Sequence, residues 1–209
     1  MSDAPTEPVS RAPPWRNPFV LAFVLGIVVL TALPFLQRKF LKAPPPIAPT
    51  GEWTLSTVDD GRAFGSKELA GSVYLVAFAA DPCDAPCVDR QRAFGRGLDH
   101  TDDLGDTVRF VSVARATVAP SLKSLSSGRW TIVTGPDEQV GKVLAAFHGA
   151  WGAFAHTDAG STLEEQLSLP AYGLVDQNGQ VRGFWRDDVA GRGNAINGAR
   201  LLAKFGPAP

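Results

Sequence analysis

The 209-residue chain is poor in the side chains that metal and redox chemistry usually draws on. It has two cysteines, three histidines and a single methionine, Met1. Two cysteines are too few to staple a small disulfide fold or to fill a four-cysteine zinc site. The lack of internal methionine excludes a thioether-rich copper carrier. A formal net charge of −1 leaves no basic field to hold nucleic acid and no acidic tail. There is no Gly-rich phosphate loop, no nucleophile elbow, no His pair at zinc spacing and no internal repeat. What the chain does have, 44% hydrophobic and 20% charged residues, suits a globular domain. Its prolines, many of them before residue 50, are unevenly spread and mark a chain that is not one uniform domain.

Residues 1–16 are polar and Pro-rich, and read as a disordered tail. Asn17 to Gln37 follows without a single charge. At about 1.5 Å per residue, this run is long enough to cross a hydrocarbon core of about 30 Å. It exceeds the apolar core of about 7–15 residues of a cleaved signal peptide and ends on Pro34, Phe35 and Leu36 before Arg38 and Lys39. The reading is an uncleaved transmembrane anchor over 17–37. Arg11 and Arg16 on one flank nearly balance Arg38, Lys39 and Lys42 on the other, so charge alone does not orient it. Residues 38–50 read as a Pro-rich linker, stiff and extended over APPPIAPT.

From 51 to 205 the pattern is that of one α/β domain, with 206–209 as a tail. Strands are expected at 53–57, 73–79, 108–114, 130–134, 171–176 and 181–185. VYLVAFA and VRFVSVA have the continuous apolar character of central strands buried on both faces. Helices are expected at about 86–98, 137–148 and 194–205, the second stopped by Gly149. Asn178-Gly179 predicts a hairpin between the last two strands. The order implies a mixed sheet with helices on both faces.

Chemistry concentrates in AADPCDAPCVDR, residues 79–90. The segment follows a central strand and precedes a helix, where open α/β sheets place their sites. Pro86 suits a first helical turn, so the helix is expected to start there with Asp84 or Ala85 as its cap. Cys87 then lies in the first turn and Cys83 in the loop before it. Helix N-terminal N–H groups favour a thiolate, as do Arg90 and Arg92; Asp81, Asp84 and Asp89 oppose it. Two sulfurs at this spacing can form a disulfide or hold Cu(I). The bland alternative is a pair of inert core cysteines. A peroxiredoxin would need Thr where Ala80 stands.

With these residues in view, the domain resembles the Sco/SenC family. The likeness is carried by Cys83-x-x-x-Cys87 after a hydrophobic strand, RFVSVA (109–114), WTIVTGPDEQVGKVLAAFHG (130–149) and YGLVDQNGQV (172–181). The resemblance implies a membrane-anchored thioredoxin-like domain linked to copper delivery for cytochrome c oxidase. It also implies a cytoplasmic N-terminus, with the domain facing the periplasm. The chain departs from the family pattern in two ways. Asp84 and Val88 stand where the family has Pro after each Cys, and Ser168 stands where it has its copper-ligating His. Pro170 matches instead the position of the cis-proline that faces the cysteine pair in TlpA/ResA-type thiol reductases, although it is equally at home as a strand-start proline.

The three histidines have mostly bland readings. His100 sits in a polar, Asp-rich turn; His148 caps a helix end; His156 lies in a long loop that could bring it in as a surrogate ligand or, with Trp151 and Phe154, serve partner docking. The expected function is therefore assistance in oxidase assembly on a protein client, by copper delivery or by dithiol reduction through Cys83, Cys87 and Pro170. Copper, if bound, is expected as Cu(I) on Cys83 and Cys87. The alternatives are a general membrane-anchored thiol–disulfide oxidoreductase and a degenerate docking domain that binds no metal.

Overall fold

The two segments richest in β-branched residues form the centre of the sheet. The computed structural model describes residues 18–40, 43–155, 171–186 and 188–206. Strand β4 (Val73–Phe78) pairs in parallel with β5 (Val108–Arg115), and β5 with β6 (Trp130–Gly135). Both β4 and β5 are buried along nearly their whole length, because helices cover both faces. β7 (Ala171–Val175) runs antiparallel beside β4, and β8 (Gln180–Arg186) beside β7.

Three short strands extend the edges: β1 (Ala48–Pro49), β2 (Thr54–Thr57) and β3 (Ala63–Gly65). The order of the eight-stranded sheet is β1-β8-β7-β4-β5-β6-β2-β3. The sequence pattern did not show β1 or β3. Each is two or three residues long, too short for an alternating pattern to register. The segment expected as a linker is thus partly sheet: Ala48 and Pro49 pair with Val181 and Gln180, and the compact unit begins at Ala43.

One layer of the core is α3 (Ala85–Gly95) and the last helix, α6 (Val189–Phe205), packed on Leu75, Phe110, Trp130 and Leu174. Opposite it, α5 (Asp137–Ala155) packs on Tyr74, Val76, Val111, Val133 and Phe184. Two four-residue helices, α2 (Ser66–Leu69) and α4 (Ala119–Leu122), and a 3-10 segment, Arg96–Thr107, complete the connections.

Four expectations are corrected. Helix α5 does not stop at Gly149 but runs to Ala155. Ala150 beyond it is fully buried, and a lone helical glycine costs only about 1 kcal/mol against alanine. His148 is accordingly half-buried inside the helix and caps no helix end. Helix α3 yields at Gly95–Arg96 to the 3-10 segment rather than continuing to 98. Helix α6 begins at Val189, before two glycines, Gly191 and Gly193, that mask its first turn; its start is fixed by Asp188, whose side chain accepts from the Gly191 N–H at 2.6 Å.

The helix α1 (Pro18–Phe40) belongs to a separate unit, Met1–Lys42. On it, the side chains of Phe19, Leu21, Phe23, Leu25 and Leu30 are exposed. Among the described residues no helix is long and apolar enough to cross a membrane. The tail readings at 1–16 and 207–209 lie outside the described residues.

Candidate redox site

Beyond Phe78 the chain leaves the sheet, passes a cis Asp81–Pro82 bond and enters α3. Of the two expected caps, Asp84 and Ala85, the cap is Asp84: its Oδ1 accepts from the Cys87 N–H at 3.0 Å. Pro86 occupies the first turn, where the missing N–H costs nothing. This local geometry places Cys83 one residue before the cap and Cys87 three residues after it.

Cys83 and Cys87 form a disulfide, with Cα atoms 5.1 Å apart. The two sulfur-bearing residues differ in environment. Cys87 is 1% exposed and belongs to the core layer under α3, while Cys83 is only partly buried. Asp81, Pro82, Asp84, Ala85 and Pro86 around Cys83 are all exposed. The pair is therefore not a core pair: one residue seals inward and the other borders solvent.

The charges around the pair are neutralised locally. Asp81 is paired with Arg115 at 3.5 Å and accepts from the Thr117 hydroxyl at 3.1 Å, tying the cysteine loop to the end of β5. Asp89 pairs with Arg92 at 2.6 Å on the exposed face of α3. Asp84 is occupied with the helix cap.

Beneath Cys87 lies a buried polar chain that the sequence reading missed. Gln91, one helical turn further along α3, accepts from the Ser112 hydroxyl at 2.7 Å through its Oε1. Its Nε2 donates to the Phe78 carbonyl at 3.4 Å. Ser112 accepts in turn from Trp130 Nε1–H at 3.0 Å. All three residues are buried, and the chain binds α3 to β4, β5 and β6 at the point where the cysteines emerge. The signal available in the sequence was a polar residue four positions after Cys87, on the same helix face.

Of the other expected site residues, His100 is exposed. Ser168, Pro170 and His156 lie outside the described residues. Among the described residues no cluster of three or more His, Cys, Asp or Glu side chains is arranged to hold a metal ion.

No family model and no curated protein matches the chain. Solved structures do. The chain is similar to BsSco, a member of the Sco family of cytochrome c oxidase assembly proteins in which a disulfide switch was identified. That likeness has 15% identity and a TM-score of 0.56 over 79% of this chain and 98% of that one. It is similar to Arabidopsis thaliana ScoI with copper bound, at 14% identity and a TM-score of 0.52 over 72% of this chain and 98% of that one. It is equally similar to the thioredoxin domain of a thiol-disulfide oxidoreductase from Bacteroides vulgatus, at 13% identity and a TM-score of 0.52 over 76% and 98%. At these identities the shared property is the fold: a thioredoxin-like mixed sheet with flanking helices, common to Sco proteins and to thiol-disulfide oxidoreductases.

Proposed function

We propose that the protein is a membrane-anchored thiol–disulfide exchange protein of Sco-like type. It would act on the copper-site cysteines of a cytochrome c oxidase subunit or on another extracytoplasmic thiol client. The observation that carries the exchange reading is the asymmetric disulfide: Cys83 at the solvent border, Cys87 sealed in the first turn of a capped helix. In the reduced protein, the Cys83 thiolate attacks one sulfur of a client disulfide and releases the other as a client thiol. Cys87 then attacks Sγ of Cys83 and releases the second client thiol. The protein ends as the Cys83–Cys87 disulfide, and the client, having taken up two electrons and two protons, as a dithiol. Gln91, Ser112 and Trp130 hold the base of α3 against the sheet, so that Cys87 stays within reach of Cys83.

Copper delivery is the second reading, favoured by the fold shared with copper-bound ScoI. Here copper is cargo. Reduced Cys83 and Cys87 offer two thiolates, a soft set suited to Cu(I), and the described residues add no third ligand. The uncharged run Asn17–Gln37, helical from Pro18, supports a membrane anchor, and the periplasmic side for the domain rests on the Sco/SenC resemblance.

Maleimide labelling of the full chain in sealed right-side-out membranes tests these points together. A membrane-impermeant reagent is expected to label Cys83 after mild reduction and neither cysteine before it, with the sealed Cys87 labelled only on denaturation. If both cysteines remain unlabelled until denaturation, they are structural and the exchange reading fails.

A further inference from the structure

The two halves of the disulfide are tethered to the same stretch of chain by different means. Cys87 is held through Gln91, which accepts from the Ser112 hydroxyl of β5 at 2.7 Å. Cys83 is held through Asp81, two residues before it. The Asp81 Oδ2 lies 3.5 Å from Arg115 Nη1, at the end of β5, and accepts from the Thr117 hydroxyl at 3.1 Å. Ser112 and Arg115 are three residues apart, about 10 Å along the strand, so β5 is a common base for both sulfurs.

The tethers are unequal. Gln91 and Ser112 are buried, whereas the Asp81 and Arg115 side chains are 26% and 19% exposed and Thr117 lies at the surface. The segment between β4 and α3 has little else to hold it. Ala79 N–H makes the last bond to the sheet, to the Val113 carbonyl at 2.9 Å, and α3 takes over where the Asp84 carbonyl accepts from Val88 N–H at 3.0 Å. Among the described residues, 80–83 make no backbone–backbone hydrogen bond. Ala80 and Cys83 touch the edge of the core, and the disulfide completes the hold. In the dithiol form, Asp81 is the polar attachment that remains.

We infer that Asp81 is a positioning residue for the Cys83–Cys87 pair, a role that rests on the exchange reading above. Latched to Arg115 and Thr117, it keeps the reduced loop folded so that Cys83 returns to Cys87, and it thereby sets how readily the disulfide forms. The physical basis is shared ordering. Closing the disulfide immobilises residues 80–83 at a cost in backbone entropy, and a latch that has already ordered them removes part of that cost. By reciprocity the closed disulfide strengthens the latch. A partly exposed ion pair is weak, so it presets the loop without locking it when Cys83 turns to a client. A pure charge effect would behave differently: an anion near Cys83 disfavours its thiolate and a cation favours it, so deleting Asp81 or Arg115 would move the equilibrium in opposite directions. A latch fails whichever half is removed.

The test equilibrates the full chain, in detergent micelles at one pH, with glutathione and glutathione disulfide. The dithiol and one glutathione disulfide give the protein disulfide and two glutathiones, so electrons and protons balance. After quenching and denaturation, the dithiol takes up two alkyl labels and the disulfide none. Asp81→Ala and Arg115→Met are each expected to shift the equilibrium several-fold toward the dithiol, and the double variant no further than the larger single. Thr117→Val is expected to shift it less, in the same direction; Thr117 is exposed, so that variant folds even if Arg115→Met does not. Opposite shifts in the two single variants, wild-type equilibria in both, or an additive double variant would each overturn the latch. A wild-type protein that shows no glutathione-dependent equilibrium would instead overturn the exchange reading itself.

Discussion

At the C-terminal end of β4 the charged groups face outward. Asp81, Asp84 and Asp89 are exposed; Asp84 and Asp89 each have one local partner, Asp81 is held by Arg115 and Thr117, and the reactive sulfur sits among them. At the other end of the same strand the principal ion pair is fully enclosed. Asp176 and Arg182 meet at 2.6 Å with side chains 0% and 3% exposed, and Arg182 also donates to the Pro44 carbonyl at 3.0 Å. The first arrangement keeps the charges in water, where pairs contribute about 0–1 kcal/mol, and leaves the cysteine loop free to change its bonding. The second is costly to break and fixes β8, the turn and the strap from Ala43 in one place. The same sheet is thus adaptable at one end and locked at the other, and five substitutions probe that difference.

The largest effect is expected at the adaptable end. Cys83→Ser removes the attacking sulfur and should abolish exchange with a disulfide-bonded client peptide. Cys87→Ser removes the resolving sulfur and should leave a stable mixed disulfide at Cys83, visible by mass spectrometry as one added peptide. If the adduct forms on Cys87 in Cys83→Ser and not in the reverse variant, the assignment of attacking and resolving sulfurs is inverted.

Next comes the locked end. Arg182→Met leaves the Asp176 carboxylate buried and uncompensated, and should destabilise the protein by about 3–5 kcal/mol in denaturant unfolding. Adding Asp176→Asn keeps the acceptor for Asn178 N–H and Gln180 N–H while removing the charge, and should recover a large part of the loss. A single variant that unfolds at the wild-type midpoint would show that water reaches the pair.

The smallest change is expected at the helix cap. Asp84→Ala removes the acceptor for Cys87 N–H and should lower stability by about 1 kcal/mol. An unaltered midpoint would mean that solvent satisfies the N–H as well as the carboxylate does.

The legible parts of the sequence were those where one residue type has one physical use. The β-branched runs at 73–79 and 108–114 marked the central strands, observed at Val73–Phe78 and Val108–Arg115, and Pro86 marked the first turn of α3. Asp176 with Asn178-Gly179 marked the hairpin: Asp176 Oδ1 accepts from Asn178 N–H at 2.8 Å, and Gly179 takes a positive φ of 72° that other residues adopt poorly. Glycine also misled. At Gly149 it suggested a stop, and at Gly191 and Gly193 it hid a helix, since a weak local preference yields to the apolar contacts on either side.

The sequence by itself determined the mixed α/β character, the central strands and the placement of Cys83 and Cys87 at a strand-to-helix junction. These follow from local periodicity, capping and turn chemistry, which act over a few neighbouring residues. Only the tertiary structure decided which cysteine is sealed and which buried polar residues brace the helix beneath it. Gln91 and Ser112 are 21 positions apart, and Thr50 and Gly179 are 129. Contacts across such separations form because the sheet brings remote strands into register, and no local pattern encodes them.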